Sequence, residues 1–488
     1  MLGLLVLTGC GAEADKSSVR RTDPTMDPTM TGPGGSGTGG GPNLGMPTQP
    51  TRKPGSSGKA DAGPCVNLQC QQANCPSGTA TSISGTIYDP AGNNPLYNVA
   101  VYVPNEAIKP LPSGASCNDC KELYSGKPIA SALTDSAGKF KLLKAPVGKD
   151  IPLVVQVGKW RKKFTISTVT KCEDNPQPDG IFRMPKNHSE GDIPNIAIST
   201  GGADTLECLL RRIGVDATEY VPGAGGDGRI HIFQGSAMLG GIFGGGMVVP
   251  NTNPPAPFSS GALWANQDGL MPYDIVLLSC EGEETQAMNQ QAMHDYASAG
   301  GRVFASHFHY SWFNSGPYAS ENLATWTPMS NDIGDITGSI VTTLPNGDPF
   351  PKGIALSEWL GTVGALQGGL LPISQARHNA DVSAANTPSQ SWILAGPTSM
   401  APGATEYLSF NTPTDALTVA DGPGYCGRVV YSDLHVGAAS GDQPALPVPT
   451  GCTDAKLSPQ EAALEFMLFD LSSCLTPDNL PPQPPPVE

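Results

Sequence analysis

The run Tyr273-Asp-Ile-Val-Leu-Leu-Ser-Cys280 constrains the fold of this chain more than any other segment. A strand with one wet face alternates apolar and polar residues. Four apolar residues in a row, Ile275 to Leu278, mark a strand covered on both faces, as in a sheet with helices above and below. Strands and helices alternate around it. Pro194-Asn-Ile-Ala-Ile-Ser-Thr200 leads through Gly201-Gly202 into a segment where Leu206, Leu209, Leu210 and Ile213 share a helical face, with Asp204 placed as its N-cap. Gly228-Arg-Ile-His-Ile-Phe233, Arg302-Val-Phe-Ala-Ser306 and Arg428-Val-Val-Tyr431 read as further strands. Glu283 to Ala299 and Ser458 to Phe469 read as helices, the second with Pro459 at N1. Over 191–475 this alternation predicts an α/β domain with a doubly wound, mostly parallel sheet.

Ahead of it the texture is different. Ser82 to Tyr88 alternates apolar and polar, Asp89-Pro-Ala-Gly92 supplies turn residues, and Val99 to Val103, Lys139 to Leu142 and Ile151 to Val157 are short β-rich runs. With no convincing helix, residues 65–190 predict a small all-β sandwich. Six cysteines fall here: Cys65, Cys70, Cys75, Cys117, Cys120 and Cys172. Their C-x4-C-x4-C run and CxxC could mimic a zinc cluster. In an exported chain disulfides are the stronger reading, with connectivity open. Cys452 and Cys474 flank the last helix and are placed as its clamp to the preceding loop.

The chain begins Met1-Leu-Gly-Leu-Leu-Val-Leu-Thr-Gly-Cys10, and Leu7-Thr-Gly-Cys10 resembles a bacterial lipobox, although no Lys or Arg precedes the apolar run. The resemblance implies lipidation at Cys10, an anchor in the cell envelope and, with Gly at position 11, an outer-membrane lipoprotein at the periplasmic face or cell surface. Residues 11–64, with Thr31-Gly-Pro-Gly-Gly-Ser-Gly-Thr-Gly-Gly-Gly-Pro42, cannot offset their ordering entropy and read as a disordered tether reaching roughly 40 Å. The Pro-rich tail, 476–488, reads as a shorter stretch of the same kind. With 28 Lys and Arg against 44 Asp and Glu, the net charge of −16 leaves no basic stripe for phosphate backbones, which excludes nucleic acid as a partner. Twelve cysteines less a lipidated Cys10 leave eleven, so at least one thiol lacks a partner within the chain.

Two further resemblances bear on the two folded parts. Gly85-Thr-Ile-Tyr-Asp-Pro-Ala-Gly92, Val99 to Val103, Thr134-Asp-Ser-Ala-Gly-Lys-Phe140 and Ala145-Pro-Val-Gly148 resemble the carboxypeptidase regulatory-like, or transthyretin-like, module. That resemblance implies a non-catalytic spacer or adhesion module. Tyr273 to Ser279, Tyr296-Ala-Ser-Ala-Gly-Gly-Arg-Val-Phe-Ala-Ser-His307, Pro351-Lys-Gly353 and Gly427 to Tyr431 resemble the ThuA-like branch of the class I glutamine-amidotransferase-like fold. It implies a flavodoxin-like sheet and a loose link to carbohydrate metabolism. The family's nucleophile elbow aligns near His307, where a cysteine would be required, and no G-x-S-x-G stands there, so acyl transfer is disfavoured.

Three predicted strand ends are polar: Cys280-Glu-Gly-Glu-Glu284, Ser306-His-Phe-His-Tyr310, and the segment holding Asp433 and His435. In an open α/β sheet ligands gather at these ends. His307, His309 and Glu281 are the catalytic candidates. His307, His309, His435 and Asp433 are the candidate ligands for one divalent metal, zinc by donor type. The alternative for each is a satisfied histidine or a helix-dipole carboxylate. Trp326, Trp359 and Trp392 could stack on sugar rings or serve as core, and Lys159, Arg161, Lys162 and Lys163 could contact an anionic glycan or line a solvated edge. Two functions follow. One is a lipid-anchored envelope protein with a spacer or adhesion module and a ThuA-like domain that binds a ligand, with carbohydrate as the candidate. The other is an exported metal-assisted hydrolase acting on glycans or esters.

Overall fold

Alternation writes itself into the N-terminal strands. The computed structural model describes residues 64–117, 123–235, 259–284, 289–329, 331–416, 418–419, 422–436, 441–442 and 448–487. The lipobox with Cys10, the tether up to residue 63, and Cys120 lie outside the described residues. Strand β1 (Ser82–Tyr88) pairs antiparallel with β4 (Lys139–Leu143) and parallel with β7 (Asp174–Pro176) and β8 (Phe182–Arg183). In β4, Phe140 and Leu142 are buried while Lys139, Lys141 and Leu143 are exposed, the period-2 signature of one covered face. A second sheet runs β3 (Pro128–Leu133), β2 (Ala100–Pro104), β5 (Gly148–Val157) and β6 (Trp160–Val169), antiparallel throughout. Ile83, Val101, Val155 and Phe182 join both sheets in one apolar core.

The rest of the chain is organised on a ten-stranded sheet. Its strands are β9 (Ile196–Ser199), β10 (Tyr220–Pro222), β11 (Ile230–Phe233), β12 (Ile275–Leu278), β13 (Arg302–Ser306), β15 (Asp332–Ile340), β16 (Leu371–Arg377), β18 (Ser389–Ala395), β19 (Thr405–Thr412) and β22 (Gly427–Ser432). Short ribbons pair β14 (Thr325–Trp326) with β17 (Ala380–Asp381) and β20 (Thr418–Val419) with β21 (Gly422–Pro423). The order in the large sheet is β10-β11-β9-β12-β13-β22-β19-β18-β15-β16. The first six strands are parallel and the pairings from β22 onward are antiparallel, so the sheet is mixed rather than mostly parallel. The antiparallel half arises from residues 332–412, where bulges interrupt β15 and β18 and blur the alternation a strand reading depends on.

Both faces of this sheet are covered. Ile275 and Leu277 point into the core shared with the N-terminal strands, and Val276 and Leu278 into a second core. Helix α1 (Leu206–Arg212) lies on the first side, as do α5 (Pro351–Thr362) and α6 (Pro459–Ser472). The second side is closed by the short α2 (Ser260–Leu263) and α3 (Gln267–Leu270) and by α4 (Gln290–Ser298). Helix α4 starts later than the sequence suggested, so Glu283 and Glu284 precede it rather than fill its first turn. Helix α6 opens as read: Ser458 caps it, Glu461 completes the capping box, and Pro459 stands at N1.

Residues 63–488 form one compact unit, strand-rich with few helices, and α6 is the reason. Every residue from Gln460 to Ser472 is buried. Phe466 stacks on Tyr97, from the loop between β1 and β2, at 5.6 Å, and Phe469 packs against Trp160 of β6 at 5.7 Å. At Gly158, whose φ is +53°, a Cβ would meet the Ser472 carbonyl at 1.8 Å, so only glycine lets the β5–β6 turn approach the helix end. Arg212 of α1 pairs with Asp442 at 2.8 Å and with Glu461 of α6. Four disulfides close the described part: Cys65–Cys70, Cys75–Cys172, Cys117–Cys426 and Cys208–Cys452. Cys452 therefore bonds α1 rather than clamping α6 through Cys474. The Pro-rich tail is laid on the fold: Asp478 pairs with Arg428 at 3.4 Å, and the Pro485 carbonyl accepts from Ser131 at 2.5 Å.

Where β1 ends, the carboxyls of Asp89 and Glu465 share a hydrogen bond and Asn94 Nδ2 donates to Glu465 at 2.6 Å. Burial pushes Asp89 up to about 6 and Glu465 well above the carboxylate range. An acid raised in the folded state stabilises the fold below its unfolded pKa, near 4, and loses that contribution as pH rises. Glu465→Gln is therefore expected to melt higher than the parent at about pH 8, with the gap closing toward about pH 4. Melting curves across that range by calorimetry check it; a pH-independent gap would contradict the assignment.

Candidate functional site

Four strand ends converge at the centre of the parallel half. The chain runs from β9 outward to β10 and β11 on one side, then crosses to β12, β13 and β22 on the other, so the order reverses between β9 and β12. In open α/β sheets ligands bind at the carboxyl ends of the strands beside such a switch. At those ends stand Cys280 after β12, His307 after β13 and His435 after β22. Gly201, just past β9, lies so near that a Cβ there would sit 2.1 Å from the Cys280 carbonyl.

Cys280, His307 and His435 meet. Cys280 Sγ is 3.2 Å from His307 Nδ1, and His435 Nε2 is 3.0 Å from the same nitrogen. One ligand atom from each lies within 4.8 Å of the other two. The rings of His307 and His435 stand nearly perpendicular, at 74°. The three residues are 0%, 2% and 3% exposed. Cys280 is a thiol, outside any disulfide. Burial pushes that thiol up, and the Asp204 charge adds to the shift; burial holds His435 below its ordinary value, as a neutral imidazole. His307 is placed by its backbone: its φ of +43° is left-handed, a conformation histidine adopts more readily than most residues. Its carbonyl accepts from Tyr431 Oη at 2.9 Å, which fixes the turn.

The other predicted residues are near but occupied. Trp312 Nε1 donates to His309 Nδ1 at 3.1 Å, so His309 carries its proton on Nε2 and gives it to the Ser279 carbonyl at 2.9 Å. Both ring nitrogens are used, and His309 stays outside the three-residue cluster as a buried, satisfied histidine. Asp433 accepts from Tyr431 Oη at 2.5 Å and from the Asn379 and Ala380 amides at 2.7 and 3.1 Å; burial raises it to about 7. It too stands apart from the cluster. Glu281 is buried beside Cys280, accepting from Ser199 Oγ at 2.6 Å. Glu406 of β19, not singled out in the sequence, is fully buried next to Asp433 and pushed well above the carboxylate range by that burial.

The tryptophan and lysine candidates resolve as structure. Trp359 and Trp392 are core at 1% and 0% exposure, and Trp326 stacks on Phe313 at 5.9 Å. Lys159 pairs with Asp274 at 2.5 Å, Arg161 with Asp192 at 2.8 Å and Lys162 with Glu190 at 2.7 Å, while Lys163 is exposed on β6. Cys280 is the residue that sequence reasoning passed over. Its signal was its place at a polar strand end, Cys280-Glu-Gly-Glu-Glu284, beside two other strand ends that carry histidines.

A thiolate and two imidazoles are a donor set suited to zinc. Ligand atoms on a tetrahedral ion with bonds near 2.0–2.3 Å lie roughly 3.4–3.6 Å apart, and the observed 3.0 and 3.2 Å need a shift of only a few tenths.

Neither a protein-family model nor a curated protein matches the chain. Among solved structures, it aligns with a C-terminal interface mutant of a type II cohesin–X-dockerin complex from Acetivibrio cellulolyticus at 14% identity, over 30% of this chain and 76% of that one, with a TM-score of 0.15. The N-terminal interface mutant of that complex gives 14%, 28%, 85% and 0.17. A 9R-lipoxygenase from Cyanothece PCC8801 gives 14%, 23%, 16% and 0.11. At such scores the alignments carry no argument about fold or function.

His309→Leu is expected to leave Trp312 Nε1 and the Ser279 carbonyl without partners. The cost, about 2–5 kcal/mol, is read by urea denaturation, while metal uptake stays at the parent level. Loss of metal in this variant, with its fold intact, would bring His309 back into the ligand set.

Proposed function

We propose that this chain is an exported, lipid-anchored envelope protein whose α/β part is a metal-assisted hydrolase, with Cys280, His307 and His435 holding one zinc ion. The observation that carries the reading is the convergence of three ligand atoms, from three separate strand ends, within 4.8 Å. Three protein ligands leave a fourth position for water, the arrangement of catalytic rather than structural zinc. Zinc held by these three residues would supply Lewis acidity to a water at that fourth position, the chemistry that ester or glycoside hydrolysis needs. Glu281, one residue from Cys280 and oriented by Ser199, is a buried carboxylate on the same strand end available for proton transfer.

Other parts of the reading have their own support. The order β11-β9-β12-β13-β22, all parallel, is 2-1-3-4-5 in chain order, that of a flavodoxin-like sheet, and agrees with the ThuA-like resemblance. The two N-terminal sheets around one core suit a carboxypeptidase regulatory-like sandwich. Four disulfides suit an oxidising compartment beyond the cytoplasm, in line with the lipobox at Cys10. One observation favours a purely binding role instead: the three ligands are almost fully enclosed, as at a metal that organises a ligand site without turning over substrate.

Metal analysis by mass spectrometry of the full chain, purified without a metal-affinity tag, tests the metal centre on which both readings rest. The expected result is about one zinc per chain, lost in Cys280→Ser and His307→Ala and retained in Asp433→Asn. A metal-free parent that also takes up none on dialysis against zinc would overturn the reading.

A further inference from the structure

We infer that Asp204 is the positioning residue of this centre: its one buried carboxylate ties together the three strand ends that carry Cys280, His307 and His435. The inference rests on reading those three side chains as a metal-binding set. Asp204 Oδ2 accepts from the Cys280 amide at 3.1 Å and from the Ser306 hydroxyl, and Oδ1 accepts from the Val436 amide at 2.6 Å. The donors are Cys280 itself, the residue before His307 and the residue after His435. They belong to the ends of β12, β13 and β22 respectively, so one side chain fixes the separation of three strand termini. Asp204 itself comes from the loop after β9, and the Ala203 amide donating to the Cys280 carbonyl at 3.2 Å holds that loop in place.

Nothing else in the fold explains this carboxylate. The N-cap of α1 is Thr205, so Asp204 does not perform the capping its sequence position suggested. Among the described residues no lysine or arginine forms an ion pair with it, yet it is 0% exposed. A buried carboxylate without a counter-ion persists only where several donors point at it. Its oxygens are spent on those donors, so it orients the ligands without joining them, as outer-shell carboxylates do in metal sites. Asparagine has the same shape but a single acceptor oxygen, and its NH2 would face an N–H or O–H donor.

The test uses the full chain with Co²⁺ as the probe, comparing the parent, Asp204→Asn and Ser306→Ala. Asp204→Asn is expected to weaken Co²⁺ binding roughly 10–100-fold and to alter the thiolate-to-cobalt and ligand-field absorption bands. Equal affinity with an unchanged spectrum would overturn the inference. If Asp204→Asn does not fold by circular dichroism, Ser306→Ala, which removes one of the three ties, decides it: a roughly two- to tenfold loss supports the role, and no loss overturns it. A parent that binds no Co²⁺ would defeat the metal reading and, with it, the inference that rests on it; a parent that binds Co²⁺ no better than Asp204→Asn would overturn the inference alone.

Discussion

Helix α6 is the part of this structure on which the rest depends. A surface helix keeps one polar face, and this one keeps none: the N-terminal strands cover one side, the ten-stranded sheet another, and α5 a third. Its charged residues consequently have to be answered inside the protein. Glu461 meets Arg212, Asp470 meets Lys352 at 2.7 Å, and Glu465 is matched to Asp89 and Asn94. Such pairs add little net stability but are costly to break, because the surviving partner is left buried and alone. They favour one packing of the two parts over others. The N-terminal strands, whatever they contact outside, are held on the sheet by a shared core.

The same economy governs the strand ends. At the switch between β9 and β12, polar side chains are enclosed by apolar sheet residues, and nearly all are matched to one another: Ser199 to Glu281, Asp204 to three donors, Tyr431 to both Asp433 and the His307 carbonyl. Against that background Cys280, His307 and His435 stand out, because one ligand atom from each lies within 4.8 Å of the other two. In a low-dielectric setting neutral imidazoles are the favoured form, which is the form that binds a metal, and a bound cation would reverse the burial that now keeps the thiol protonated.

Much of this was legible in the residues. The apolar run at Ile275–Leu278 announced a strand covered on both faces, and its alternate side chains do enter two different cores. Ser458, Pro459 and Glu461 announced the start of α6 because capping is a local interaction between residues three apart. The histidines at the ends of β13 and β22 were visible because strand ends can be predicted one strand at a time. The antiparallel half of the sheet was not legible, since bulged strands lose their alternation. Nor was the disulfide map, since Cys117–Cys426 and Cys208–Cys452 join residues 309 and 244 positions apart.

By itself, then, the sequence determined the elements, their caps and the faces they bury, all properties set within a few residues along the chain. Tertiary structure alone decided which polar residues came together. His307 and His309 are two positions apart and indistinguishable in sequence. The left-handed turn at His307 brings its ring to Cys280 and His435, while His309 is consumed by Trp312 and Ser279. Likewise Asp204 stands where a cap would be but serves three strands that arrive from 76, 102 and 232 residues away. That difference is physical: capping and alternation are short-range, whereas convergence at a strand end depends on strand order, which only the packed sheet establishes.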